Sequence, residues 1–243
     1  MTKKTSVVIF DWDDTLFDAG NALAKSQIHA IENILTQTER YPFTQTWQCP
    51  NIEHLREHTG HRFKEKVIYA VMPELQANNP DHQAWAEDVF ERFKQYYQRL
   101  NKTLFPGVKA MLMSLKTSCD LCIATNKSRD IFMEELQQTG LADMFTHIIC
   151  GDDPAIEGQF KPNPKMINLI QNQYPNATSF VMVGDRDFDM TAATTSEQSQ
   201  RTKTIGISKT LSLVQADQQL TNAAKISLDL IQRLNRQTTL TSS

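Results

Sequence analysis

The sequence predicts an α/β protein: a doubly wound parallel sheet interrupted by an α-helical insertion. Three observations carry this. Five short apolar runs, Ser6–Phe10, 121–124, His147–Cys150, 180–183 and 204–207, are brief and mostly rich in Val or Ile, as strands buried on both faces require. Helical patterns separate the last four runs, which is the rhythm of a parallel sheet with crossover helices. Residues 19–103 abandon that rhythm and contain no convincing strand.

Taken in order, the first run ends abruptly at Asp11. Segments 22–35, 53–71 and 83–100 then read as helices. Beyond Pro106-Gly107, residues Val108, Leu112 and Leu115 fall on one helical face ahead of the second strand. Residues 129–139 form a helical stretch stopped by Gly140. Pro164 suits a first helical turn, and Met166, Ile170 and Tyr174 share a face after it. Residues 227–234 give a last helix, and the polar stretch 236–243 is expected to fray. The expected organisation is a core from 1–18 and 104–243, with 19–103 as an inserted helical cap.

The chain has 243 residues and a formal net charge of −3. It is long enough to bury a core without disulfides. So small a charge gives no global attraction to nucleic acid or to an anionic membrane. No apolar run approaches the length of a secretory signal or a membrane span, so a cytoplasmic protein is expected. Cys119 and Cys122 form a C-x-x-C, but the pair enters a strand-like run and no second pair completes a zinc site. Small core residues are the reading there.

The chemistry gathers at the ends of the strands. In open α/β sheets ligands bind outside the carboxyl ends of the strands. The first strand runs into Asp11-Trp12-Asp13-Asp14-Thr15, the second into Thr125-Asn126-Lys127, and the fourth into Gly184-Asp185, with Asp187 and Asp189 beyond. Lys161 stands in Phe160-Lys161-Pro162-Asn163-Pro164, just before a helix. Paired carboxylates need a cation or hydrogen bonds to stay ionised, and a hard divalent ion with oxygen ligands supplies the former. Read alone, the first aspartates are a moderately specific signal, since they also suit a turn that caps the next helix. Together the set offers a phosphoryl group a nucleophile, a cation and donors for its oxygens.

These residues resemble the four ordered motifs of the haloacid dehalogenase (HAD) superfamily: Asp11-x-Asp13-x-Thr15, Thr125, Lys161, and Gly184-Asp185-x-x-x-Asp189. Phe105-Pro106-Gly107-Val108 and Lys161-Pro162-x-Pro164 are similar to its phosphoglycolate-phosphatase-like branch, which carries a helical cap after motif one. The resemblance implies strand order 3-2-1-4-5 and a Mg²⁺-dependent phosphatase of a small phosphorylated metabolite: phosphoglycolate, a sugar phosphate or a nucleoside monophosphate. It implies Asp11 as nucleophile, Asp13 as general acid and base, and Lys161 as the cation that offsets Asp11 and phosphate. Thr125 and the Asn126 amide would bind phosphoryl oxygens. The metal would rest on Asp11, Asp185 and the Asp13 carbonyl, and Asp189 would orient Lys161 or a metal-bound water. Asp187 matches no motif position and reads as a solvated loop acid. Neither a nucleic-acid nor a membrane partner is implied, and the oligomeric state is not set.

Asp14 replaces a glycine common in the family, a change that a left-handed turn tolerates in Asp. An Ala-Gly pair before the fifth strand is replaced by Ala192-Ala193-Thr194-Thr195. The His54, His58, His61 and Arg62 cluster in the insertion reads as a polar helix face. Trp12 reads as buried beside the first motif. Three alternatives stand beside the phosphatase: a HAD dehalogenase, against which Asp13 argues; a phosphomutase; and a non-catalytic HAD-fold module, which the complete motif set disfavours.

Overall fold

The computed structural model describes residues 4–58 and 60–239. The chain divides into two compact units, Met1–Asp18 with Thr103–Ser243, and Ala19–Lys102. The first unit holds strands β1 (Ser6–Phe10), β2 (Phe17–Asp18), β3 (Thr103–Leu104), β4 (Cys119–Thr125), β5 (His147–Cys150), β6 (Ser179–Gly184), β7 (Thr202–Ile207) and β8 (Gln218–Leu220). Six of them form one sheet in the order β5-β4-β1-β6-β7-β8, with every pairing parallel. Its first five strands follow the order 3-2-1-4-5. The sixth escaped the sequence because Gln218-Gln219-Leu220 is a polar edge strand, paired on one side only and without an apolar run.

β1 lies between β4 and β6, so its alternating side chains are buried on both faces. On one face Val7 and Ile9 pack with Cys122, Ala124, Phe180 and Met182 against Met166, Ile167, Ile170, Ala192 and Ala193. Those last five come from α7 (Lys165–Gln173) and α8 (Asp187–Thr194), the seventh and eighth α-helices among the described residues. Cys119, Cys122 and Cys150 are buried free thiols. Burial pushes Cys119 and Cys122 up to about 11 and Cys150 to about 12, so none is a reactive thiolate. The last helix, α9, runs over Leu228–Thr239. Part of the stretch expected to fray is thus helical, and residues 240–243 lie outside the described residues.

Both crossings between the units pass through a small antiparallel pair, Phe17 with Leu104 and Asp18 with Thr103. No strand was expected there, because two-residue strands leave no periodic signal. The second unit holds α1 (Gly20–Leu35), α2 (Ile52–Glu57), α3 (Ile68–Val71) and α4 (Pro80–Arg99). Leu23, Ala30, Ile31 and Ile34 of α1 and Trp85, Val89, Phe93 and Tyr97 of α4 supply its core. The expected helix 53–71 is broken. Gly60 takes a left-handed φ of 92° and Arg62 is extended, and a π-helical turn Phe63–Val67 then leads into α3. Glycine is the residue that permits that break.

Candidate active site

All the sequence-selected site residues lie in the first unit, at the carboxyl edge of its sheet. Asp11 follows β1 and donates its backbone N–H to the Val183 carbonyl at 2.8 Å, which continues the ladder one residue past the strand. Asp14 adopts the left-handed φ of 57° that turns the chain back, and its N–H reaches the Phe17 carbonyl at 2.8 Å. Thr125 closes β4 and is buried. Asp185 follows Gly184 at the end of β6. Gly184 must be glycine: a Cβ there would run into the Asp189 carboxylate.

Lys161 is fully buried. Its Nζ donates to Asp11 Oδ1 at 2.7 Å and to Asp189 Oδ1 at 2.5 Å. Burial works against its charge, but Asp11 and Asp189 outweigh burial and hold its pKa above the ordinary lysine value. Asp189 also accepts the Arg186 backbone N–H at 3.1 Å, so one carboxylate both caps α8 and partners Lys161. Asp187 is exposed and is the first residue of α8, not a loop residue.

Asn126 is tied to the Lys161 peptide. Its side-chain amide donates to the Lys161 carbonyl at 3.1 Å and its side-chain oxygen accepts the Lys161 N–H at 3.0 Å. That side chain is engaged in placing the Lys161 peptide. Thr125 Oγ1 accepts the Lys127 backbone N–H at 3.2 Å and keeps its own proton to donate.

Two residues that the sequence did not single out complete the site. Lys127 Nζ donates to Asp13 Oδ1 at 2.6 Å and to Glu135 Oε2 at 2.7 Å. Glu135 Oε2 also accepts the Trp12 indole N–H at 2.8 Å. Trp12 is fully buried, stacked on Phe17 and edge-on to Phe132. A signal existed for Glu135: it shares the buried stripe of α6 (Arg129–Thr139) with Ile131, Phe132 and Leu136, and an acid on an apolar stripe has a partner waiting.

Acids dominate the electrostatics. Among the described residues, Asp13 and Glu135 pair with Lys127, Asp11 and Asp189 with Lys161, and Asp185 with Arg186, while Asp14 adds a further negative charge beside Asp185. Burial first, then Asp11, Asp189 and Asp14, pushes Asp185 well above its ordinary value, against the opposing pull of Arg186 at 3.2 Å; the Thr15 hydroxyl donates to it at 3.4 Å. Burial likewise raises Asp13 and Asp189 to about 7 against their lysine partners. Ligand oxygens of Asp11, Asp185 and Asp189 lie within 4.8 Å of one another. An all-oxygen group with surplus negative charge fits a hard divalent cation. Beside Asp185 lies a cavity of about 300 Å³ lined in part by Asp14, Thr15, Arg186 and Lys209, so the strand ends give onto open space.

The parallel sheet and its acidic carboxyl edge define an α/β protein with a candidate cation site. The chain belongs to the haloacid dehalogenase-like hydrolases, whose family model matches residues 8–207. It is similar to the phosphoglycolate phosphatase of Vibrio cholerae, 28% identical over 196 residues covering 79% of this chain and 80% of that protein. A phosphoglycolate phosphatase of Neisseria gonorrhoeae is 28% identical over 190 residues, 76% of this chain and 74% of its own. Among solved structures, a predicted phosphoglycolate phosphatase from Haemophilus somnus matches with a TM-score of 0.70 at 18% identity, covering 96% and 99% of the two chains. CbbY from Rhodobacter sphaeroides, solved with phosphate, matches with 0.69 at 18% identity, covering 93% and 98%. These two likenesses speak to the fold. Among the described residues no helix is long and apolar enough to cross a membrane.

Proposed function

We propose that this HAD-like hydrolase is a Mg²⁺-dependent phosphatase of a small phosphorylated metabolite, working through a phosphorylated Asp11. One observation carries the reading: Asp11 has one carboxylate oxygen fixed by the buried Lys161 at 2.7 Å. A carboxylate held this way is aimed for attack while its partner cation offsets charge on an incoming phosphate.

Asp11 attacks phosphorus, and Asp13 gives a proton to the departing oxygen, then takes one from the water that cleaves the aspartyl phosphate. The Thr125 hydroxyl and the Asn126 backbone N–H bind phosphoryl oxygens, and Asp189 keeps Lys161 in place. Mg²⁺ would be held by Asp11, Asp185 and the Asp13 carbonyl, and would supply charge neutralisation for the phosphoryl group. The helical unit Ala19–Lys102, inserted just after the first motif, is read as a cap that selects the substrate. Phosphoglycolate heads the candidates because relatives of similar length carry that name.

The test is phosphate release from a panel of phosphorylated metabolites, phosphoglycolate included, with Mg²⁺ and with chelator. The expected result is turnover of a small phosphate ester that chelator abolishes. Absence of release from every ester at every Mg²⁺ concentration sinks the reading and favours a binding module.

A further inference from the structure

Lys127, on the chain just past β4, has a side chain only 4% exposed and lies between two carboxylates, Asp13 at 2.6 Å and Glu135 at 2.7 Å. Burying an ammonium between two carboxylates is a weak stabilising device by itself. A buried ion pair costs desolvation that its own attraction barely repays. Glu135 is itself fixed by the Trp12 indole at 2.8 Å. The line Trp12–Glu135–Lys127–Asp13 thus starts and ends in the first motif and passes through α6 and the end of β4.

We propose that Lys127 is a positioning residue that fixes the Asp13 carboxyl group for proton transfer to the leaving oxygen. The inference rests on the phosphatase reading above. Lys127 occupies Asp13 Oδ1, and among the described residues no hydrogen bond is made to Oδ2. The bonded oxygen sets the plane and direction of the carboxyl group, and the other oxygen is left to carry the proton. In the first half-reaction the Asp11–phosphorus bond forms and the bond from phosphorus to the ester oxygen breaks. That oxygen takes the Oδ2 proton and leaves as an alcohol. In the second, water attacks phosphorus, Asp13 Oδ2 takes its proton, and the Asp11–phosphorus bond breaks. Lys127 gives up no proton in either half. Glu135 anchors Lys127 against being drawn toward the phosphate.

The role has a signature that a general structural role lacks. An ester whose alcohol is a poor leaving group needs its oxygen protonated as the bond breaks, whereas a nitrophenolate leaves without help. Losing Asp13's orientation therefore penalises alkyl esters more than activated aryl esters. The experiment measures kcat/KM for 4-nitrophenyl phosphate, phenyl phosphate and an alkyl phosphate. Proteins compared are the wild type, Lys127→Met, Asp13→Asn and the double variant Lys127→Met/Glu135→Gln. The double variant keeps the site's charge balance and guards against misfolding from an unpaired buried Glu135. Both Lys127 variants should lose about tenfold or more on the alkyl ester relative to 4-nitrophenyl phosphate, in the pattern of Asp13→Asn, whose full loss is about 10²–10⁴-fold. A loss equal across all three esters in both Lys127 variants, beside a graded loss in Asp13→Asn, overturns the role of Lys127. Higher KM with kcat kept would make Lys127 a phosphate ligand and also overturns it. An even loss in Asp13→Asn itself would bring down the underlying role of Asp13, and this inference with it.

Discussion

Asn126 grips Lys161 by both polar groups of its peptide, donating to its carbonyl at 3.1 Å and accepting its N–H at 3.0 Å. The lysine that joins Asp11 to Asp189 is therefore set by its backbone as well as by its salt bridges. Asn126→Leu strips both partners from a buried peptide, at about 1–3 kcal/mol for each group left unsatisfied. The expected outcome is a lower melting temperature together with a fall in kcat larger than the change in KM. Chemical denaturation and steady-state kinetics on the same preparation check it. Full stability with full activity would show that the clamp is not needed.

The acids after β6 separate by position. Asp185 directly follows the strand, Asp189 is buried against Lys161, and Asp187 is exposed on the first turn of α8. Asp185→Asn should raise the Mg²⁺ requirement sharply and lower kcat. Asp189→Asn should have an intermediate effect, through Lys161. Asp187→Asn should be nearly silent. Activity against Mg²⁺ concentration reads all three, and Asp187 as the most damaging position would overturn the metal assignment.

Asp13 and Asp189 sit near 7 instead of their ordinary 3.8, raised first by burial. An acid raised on folding keeps a proton that the unfolded chain releases. The contribution of these groups to metal-free stability is therefore fully present below about pH 4 and lost as pH climbs to about 7. A divalent cation competes with those protons. Mg²⁺ should raise the melting temperature little at about pH 5 and clearly more at about pH 8. Thermal unfolding with Mg²⁺ and with chelator at both pH values checks this, and a pH-independent increment would contradict it.

Much of this was legible in the sequence because apolar strands end on polar residues at a sharp boundary. Ser6–Phe10 stopping at Asp11 and Gly184 preceding Asp185 mark both a strand end and the acid that follows it. The elements that escaped have other origins. β8 and the β2–β3 pair are short and held by neighbours more than by their own pattern. The break in 53–71 depends on a left-handed Gly60 and an extended Arg62, and helical periodicity runs through both. Within the site, residue types were visible but pairings were not. Whether the Asn126 side chain faced a ligand or Lys161 depends on the path of the loop around Pro162, and Lys127 finds Glu135 only once α6 has packed. The acid on the apolar stripe of α6 was the one trace of that network in the sequence.

The central claim is that Asp11 carries the phosphoryl group. The direct measurement is a rapid acid quench of enzyme turning over a phosphate ester with Mg²⁺, followed by mass spectrometry of the peptide containing Asp11. The account predicts a fraction of that peptide heavier by one phosphoryl group and located on Asp11. It also predicts that Asp11→Asn, a near-isosteric change, folds normally but gives neither the adduct nor phosphate release. Turnover near the wild-type rate in Asp11→Asn, or a phosphoryl group found on another residue, would contradict it.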